Sequence, residues 1–145
     1  EIGSGLVGSE MCIRDSSRNP DGFFLMIEGS NIDKAAHSSN LEEMMEELLD
    51  FDRTAGAVLD WASKHPGTLV VITADHNTGA FALTGGSREK GEITARFGSG
   101  SHDGVAVPVY VFGAGSGDFT GIYENTDIFN KIMNALKKGA DKPVR

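Results

Sequence analysis

At 145 residues the chain is long enough for one ordinary domain with a sizeable core. Its 13 Lys and Arg against 21 Asp and Glu leave a net charge of -8. No basic stripe is therefore available to neutralise nucleic-acid phosphates, although bound cations could still reverse the local field for a small phosphorylated substrate. No apolar run approaches the ~20 residues a membrane helix needs, and the single cysteine, Cys12, excludes an internal disulfide framework.

Residues 1–16, EIGSGLVGSEMCIRDS, carry neither helical nor strand period and resemble a translated sequencing-adapter read. Residues 1–18 are accordingly set aside as a non-native or disordered leader, and 19–145 are read as the C-terminal part of one larger domain. Asn19-Pro20-Asp21-Gly22 is a turn. Phe23 to Ile27 is an unbroken apolar run of strand length, predicted as a buried strand ending at Glu28-Gly29. Leu41, Met44, Met45, Leu48 and Leu49 then recur at helical period, with Glu42, Glu43, Glu46 and Glu47 between them. The stripe continues through Ala55, Val58, Leu59 and Ala62, predicting one long amphipathic helix or two in series. Its methionines read as core packing and its acidic run as a solvated face.

His65-Pro66-Gly67 stops that helix, with His65 a solvated helix-end residue. Thr68 to Thr73 is β-branched and apolar, the signature of a strand covered on both faces in a parallel or mixed sheet. Residues 77–100 are rich in Gly, Thr and Ser and read as a surface loop or hairpin, with a short strand at Ala80 to Leu83. Val107 to Phe112 is a further strand. Gly113-Ala114-Gly115-Ser116-Gly117 lacks the lysine of a phosphate loop and reads as a turn. Thr126 can cap a last helix running through Leu136, with Asp127 in its first turn and Lys137-Lys138 at its end. The order strand, helix, strand, hairpin, strand, helix predicts an α/β layered architecture.

Three short stretches concentrate metal-ligand chemistry: Glu28 to His37, Thr73 to His76, and Ser101 to Gly104. Asp33 and His37 stand four apart, which on a helical turn puts both on one face. Asp75-His76 follows the clearest strand, at the carboxyl end where open α/β sheets build their sites. Neighbours such as these share an ion only where the backbone leaves the strand. Zinc takes imidazole nitrogen and carboxylate oxygen, and His37, His76 and His102 with Asp33 and Asp75 supply both. Glu28, a hard oxygen donor, suits magnesium.

FFLMIEG leading into SNIDKAAH, then TLVVITADH, GSHDG, VPVYVFGAGS and GIYENTDIF, resembles the alkaline phosphatases in order and spacing from about Asn19 to the end. The resemblance implies part of a three-layer α/β/α sandwich with a mostly parallel or mixed sheet, the N-terminal half lying elsewhere. It implies two zinc ions and one magnesium. Asp33, His37 and His102 match the ligands of the first zinc, Asp75 and His76 those of the second, and Glu28 the magnesium carboxylate. Lys34 falls where many members place a group that reaches the phosphate through water.

The implied activity is hydrolysis of small-molecule phosphate monoesters. A serine in an Asp-Ser-Ala setting is the nucleophile, and an arginine holds the phosphate. Asp15-Ser16-Ser17 does not supply that setting, and no arginine here matches the clamp. The fragment alone is therefore expected to be inactive. The resemblance further implies a homodimer when full length, in a periplasmic or extracellular location. The readings kept beside it are a phosphodiesterase, sulfatase or phosphomutase of the same superfamily, and a non-catalytic metal-binding module.

Overall fold

The computed structural model describes residues 12, 13 and 15–140. Most of the expected leader, residues 1–11 and 14, lies outside the described residues. Ile13 is described and buried. The contacts group into two units. One comprises Glu1–Met26, Arg53–Thr73 and Pro108–Arg145; the other comprises Ile27–Asp52 and Ala74–Val107.

In the first of these, strand β1 (Leu69–Thr73) pairs with β6 (Val109–Gly113). The register runs from Leu69 opposite Gly113 to Thr73 opposite Val109, and the Thr73 hydroxyl donates to the Pro108 carbonyl at 3.1 Å. A 3₁₀ turn, Ser116–Phe119, follows and buries Phe119. The last helix, α3 (Asp127–Ala140), is tied to that turn by two lysines. Lys131 donates to the Asp118 carbonyl at 2.6 Å and lies 4.3 Å from the centroid of the Tyr123 ring. Lys138 meets the Asp118 carboxylate at 2.6 Å. Hydrogen bonding to Lys138, and then its charge and that of Lys131, hold the Asp118 carboxyl below its ordinary value. Trp61 of the same unit has Phe23 edge-on at 6.0 Å and His65 stacked at 3.8 Å.

The second unit carries α1 (Ser30–His37), β2 (Asn77–Thr78), β3 (Ala82–Ser87), β4 (Glu92–Arg96) and β5 (His102–Asp103). Its core is built on Ala35 and Ala36 of α1 and on Met44, with Ile32, Leu41, Phe81 and Phe97 packed around them. Small residues on the inner face of α1 let the chain approach closely there. The chain turns at Ser39, which holds φ 54. Asn40 then caps the start of α2 (Leu41–Ser63) through its side chain. The Asn40 side-chain oxygen accepts from the Glu43 N–H at 3.2 Å, and its amide donates to the Glu43 carboxylate at 2.9 Å.

Several expectations change. Phe23 to Ile27 has no assigned secondary structure and belongs to no described ladder, and Phe24 and Met26 are exposed. An apolar run encodes a strand's readiness for burial, not the presence of a neighbour to bury it. The expected parallel or mixed pairing is also absent among the described residues: all three ladders are antiparallel and two-stranded. A β-branched run reports that a strand is covered and leaves its direction open. Of the loop or hairpin expected at 77–100, the hairpin forms, with β3 and β4 bulged and the first strand at Ala82–Ser87 instead of Ala80 to Leu83. Among the described residues no helix is long and apolar enough to cross a membrane.

Candidate metal centre

Every residue of the candidate site lies in the second unit. Helix α1 presents Asp33 and His37 one turn apart, with His37 Nε2 3.4 Å from Asp33 Oδ2. Strand β5 brings His102, whose Nε2 is 3.0 Å from His37 Nε2 and 3.6 Å from Asp33 Oδ1. Asp33, His37 and His102 each offer a ligand atom, all within 4.8 Å of one another. Tetrahedral ligands at about 2.0–2.2 Å from a zinc ion stand roughly 3.3–3.6 Å apart. The His37 and His102 nitrogens approach different oxygens of the Asp33 carboxylate, Oδ2 and Oδ1, at distances near that edge length, so the three side chains are close enough to serve one ion.

Hydrogen bonds fix which ring nitrogens are free. His37 Nδ1 lies 2.8 Å from the Gly100 carbonyl, which only accepts, so Nδ1 carries the proton and Nε2 presents a lone pair. A Cβ on Gly100 would stand 3.2 Å from the His37 carbonyl, which explains the small residue there. Thr78 donates through Oγ1 to Asp33 Oδ1 at 2.6 Å, leaving that oxygen to accept from His76 Nδ1 at 3.2 Å. His76 Nε2 is thereby freed as well, and it lies 3.3 Å from Asp75 Oδ2. Such outer hydrogen bonds are what orient imidazoles toward an ion. The His76 and His102 rings stack at 3.5 Å, so the two donor groups adjoin. The Thr78 hydroxyl, and after it the imidazoles of His37, His102 and His76, hold the Asp33 carboxyl below its ordinary value against the opposing effect of burial.

Asp75 and His76 come beyond the end of β1, where the backbone has left the strand, and both side chains reach one side. Asp75 is 87% exposed. Glu28 is exposed and outside the three-residue donor group. Lys34 Nζ donates to Asn31 Oδ1 at 3.0 Å, one turn back on its own helix. Sequence reasoning passed over Thr78, Asn77, Asp103 and the Gly100 carbonyl. The available signal was position: each sits within two residues of a candidate ligand.

An imidazole and carboxylate donor cluster on a mixed helix-and-strand scaffold defines a candidate metalloprotein. The family model for alkaline phosphatase matches residues 8–95, and the chain belongs to that family. Among similar proteins, streptomycin-6-phosphate phosphatase of Streptomyces griseus is 35% identical over 132 residues, covering 79% of this chain and 29% of that protein. Alkaline phosphatase of Escherichia coli (strain K12) is 30% identical, covering 83% of this chain and 29% of that protein. Alkaline phosphatase from the Antarctic bacterium TAB5, in a mutant form with magnesium bound, superposes with a TM-score of 0.83 at 38% identity. That alignment covers 91% of this chain and 41% of the TAB5 chain. The fold is thus that of part of an alkaline phosphatase, and the chain spans well under half the length of these relatives.

Proposed function

We propose that this chain is the metal-ligating part of an enzyme that hydrolyses phosphate monoesters of small molecules. The observation that carries the reading is the cluster of Asp33, His37 and His102, whose ligand atoms lie within 4.8 Å of one another. In this reading Asp33, His37 and His102 hold a first zinc, Asp75 and His76 contribute to a second, and Glu28 serves a magnesium. When bound, paired divalent ions polarise a phosphoryl oxygen and make a hydroxyl nucleophilic at neutral pH. The chain's own residues supply the rest. Gly100 holds the proton of His37 on Nδ1 and Thr78 does the same for His76, which leaves the Nε2 lone pair of each ring available to hold an ion.

Lys34 lies on the same helix as Asp33 and is proposed to leave Asn31 and approach the phosphate through water. The nucleophilic serine and the phosphate-holding arginine are assigned to a segment outside this chain. A homodimer in the whole protein and a periplasmic or extracellular location belong to the same reading, as the sequence resemblance implies. The similarity to a streptomycin-6-phosphate phosphatase supports a phosphorylated small molecule as substrate.

The test is zinc binding by the purified chain, measured by competition with a chromogenic chelator, alongside phosphate release from an aryl phosphate. We expect binding that is lost in His37→Ala and His102→Ala, with no phosphate release from the chain alone. Zinc binding that ignores both substitutions would refute the assignment.

A further inference from the structure

Asp103 sits beside the candidate ligand His102 yet is not one of the donor cluster. Its carboxylate is fully occupied otherwise. Oδ1 and Oδ2 accept from the Asn77 amide at 3.0 and 2.9 Å, Oδ2 accepts from the Ala80 N–H at 2.9 Å, and Oδ1 accepts from the Val105 N–H at 3.1 Å. An ionised carboxylate has about four acceptor sites, so these contacts leave it little capacity to bind an ion. They draw donors from both sides of one short ladder, in which Asn77 faces Asp103 and Thr78 faces His102. A ladder two residues long is far below the usual strand length and has little power to hold its own register. Ala80, pinned through its N–H, holds φ 43, a conformation that L side chains rarely adopt and that persists only where the surroundings enforce it.

We propose that Asp103 and Asn77 form a strap that positions His102 against His76 and Thr78. They act through the ligands and not on the ion; they are positioning residues. Deleting the strap would free β5 to slide relative to β2. The 3.5 Å stack of His76 on His102 would then loosen, and with it the spacing between the two donor groups. The strap itself stands on hydrogen-bond geometry; its consequence for metal binding rests on the proposed metal centre.

The experiment compares the 145-residue chain with Asp103→Asn and Asn77→Ala. In Asp103→Asn an amide donor replaces one acceptor, so at least one of the four bonds must be lost. Asn77→Ala removes only the cross-strand amide and leaves both backbone bonds, and it carries the test if the first variant fails to fold. Two quantities are read. Ring-proton resonances of the metal-free protein report the His76 and His102 stack, with His65, stacked on Trp61, as the internal reference. Zinc affinity is read by chelator competition. We expect the His76 and His102 resonances to move while those of His65 stay, and affinity to fall about 10–100-fold in Asp103→Asn, as for other outer-shell substitutions, and less in Asn77→Ala. Unmoved His76 and His102 resonances in a folded variant would overturn the strap. Failure of the unmodified chain to bind zinc, with those resonances still moving in the variants, would instead sink the metal reading and leave the strap standing.

Discussion

Replacing Thr78 by valine removes one oxygen from the middle of the candidate centre while keeping the branched shape of the side chain. That oxygen donates to Asp33 Oδ1 at 2.6 Å and accepts from His76 Nδ1 at 3.2 Å. A hydrogen bond to a charged group contributes about 1.5–3 kcal/mol and a neutral one about 0.5–1.5 kcal/mol. The Asp33 side chain is 38% exposed, so water replaces part of the first, and the sum falls to about 1–2 kcal/mol of folding stability. The effect on metal binding has a separate origin. Without Thr78, neither the Asp33 carboxylate nor the His76 tautomer is held in place before an ion arrives, which corresponds to roughly 10–100-fold in zinc affinity. The assays are thermal unfolding of the metal-free chain and chelator competition at neutral pH. A Thr78→Val protein that binds zinc as tightly as the unmodified chain would refute the argument that this hydroxyl organises the donors.

Three further outcomes test the packing and the charges. Gly79 holds φ +82, and a Cβ there would stand 2.9 Å from the Phe97 ring and 3.3 Å from the Ala36 carbonyl. Gly79→Ala should cost about 1–3 kcal/mol in urea unfolding. Gly56→Ala, in the interior of α2 with nothing within 4 Å, should instead stabilise by about 0.5–1 kcal/mol. Asp118 is held below its ordinary carboxylate value chiefly by the hydrogen bond from Lys138. A depressed folded value means its contribution is present above the usual carboxylate range and lost as pH falls through the lowered one. Asp118→Asn should therefore flatten the acid limb of a stability–pH profile.

The parts of the fold legible in the sequence are those with local causes. The apolar run at 68–73 yields β1, and the stripe from Leu41 yields a single helix through Ser63. Asp33 and His37 meet because four residues make one helical turn. His102 reaches them across 65 residues of chain, and no local pattern encodes that approach. Only the wording of the whole motif set suggested it. Strand direction was likewise hidden, since the β-branched side chains of β1 suit either partner orientation. The hairpin within 77–100 was legible but its strand bounds were not, because Thr84, Gly85 and Gly86 carry little strand propensity; the ladder rests on backbone pairing with an irregularity between Leu83 and Gly85. Thr78, Asn77 and Asp103 escaped for a different reason. Their work is done through hydrogen bonds to groups distant in sequence, and their residue types are ordinary for turns.

The long chain separation between His102 and its partners on α1 has a thermodynamic consequence. An ion gripping Asp33 and His102 would fasten a loop of about 70 residues, the same topological restraint that secreted proteins obtain by oxidation. Chain-entropy arguments put such a closure near 4 kcal/mol. A polypeptide whose lone thiol cannot cross-link internally would then owe much of its resistance to unfolding to its cation supply. Starving it of metal would lower its thermal midpoint before any substrate is offered.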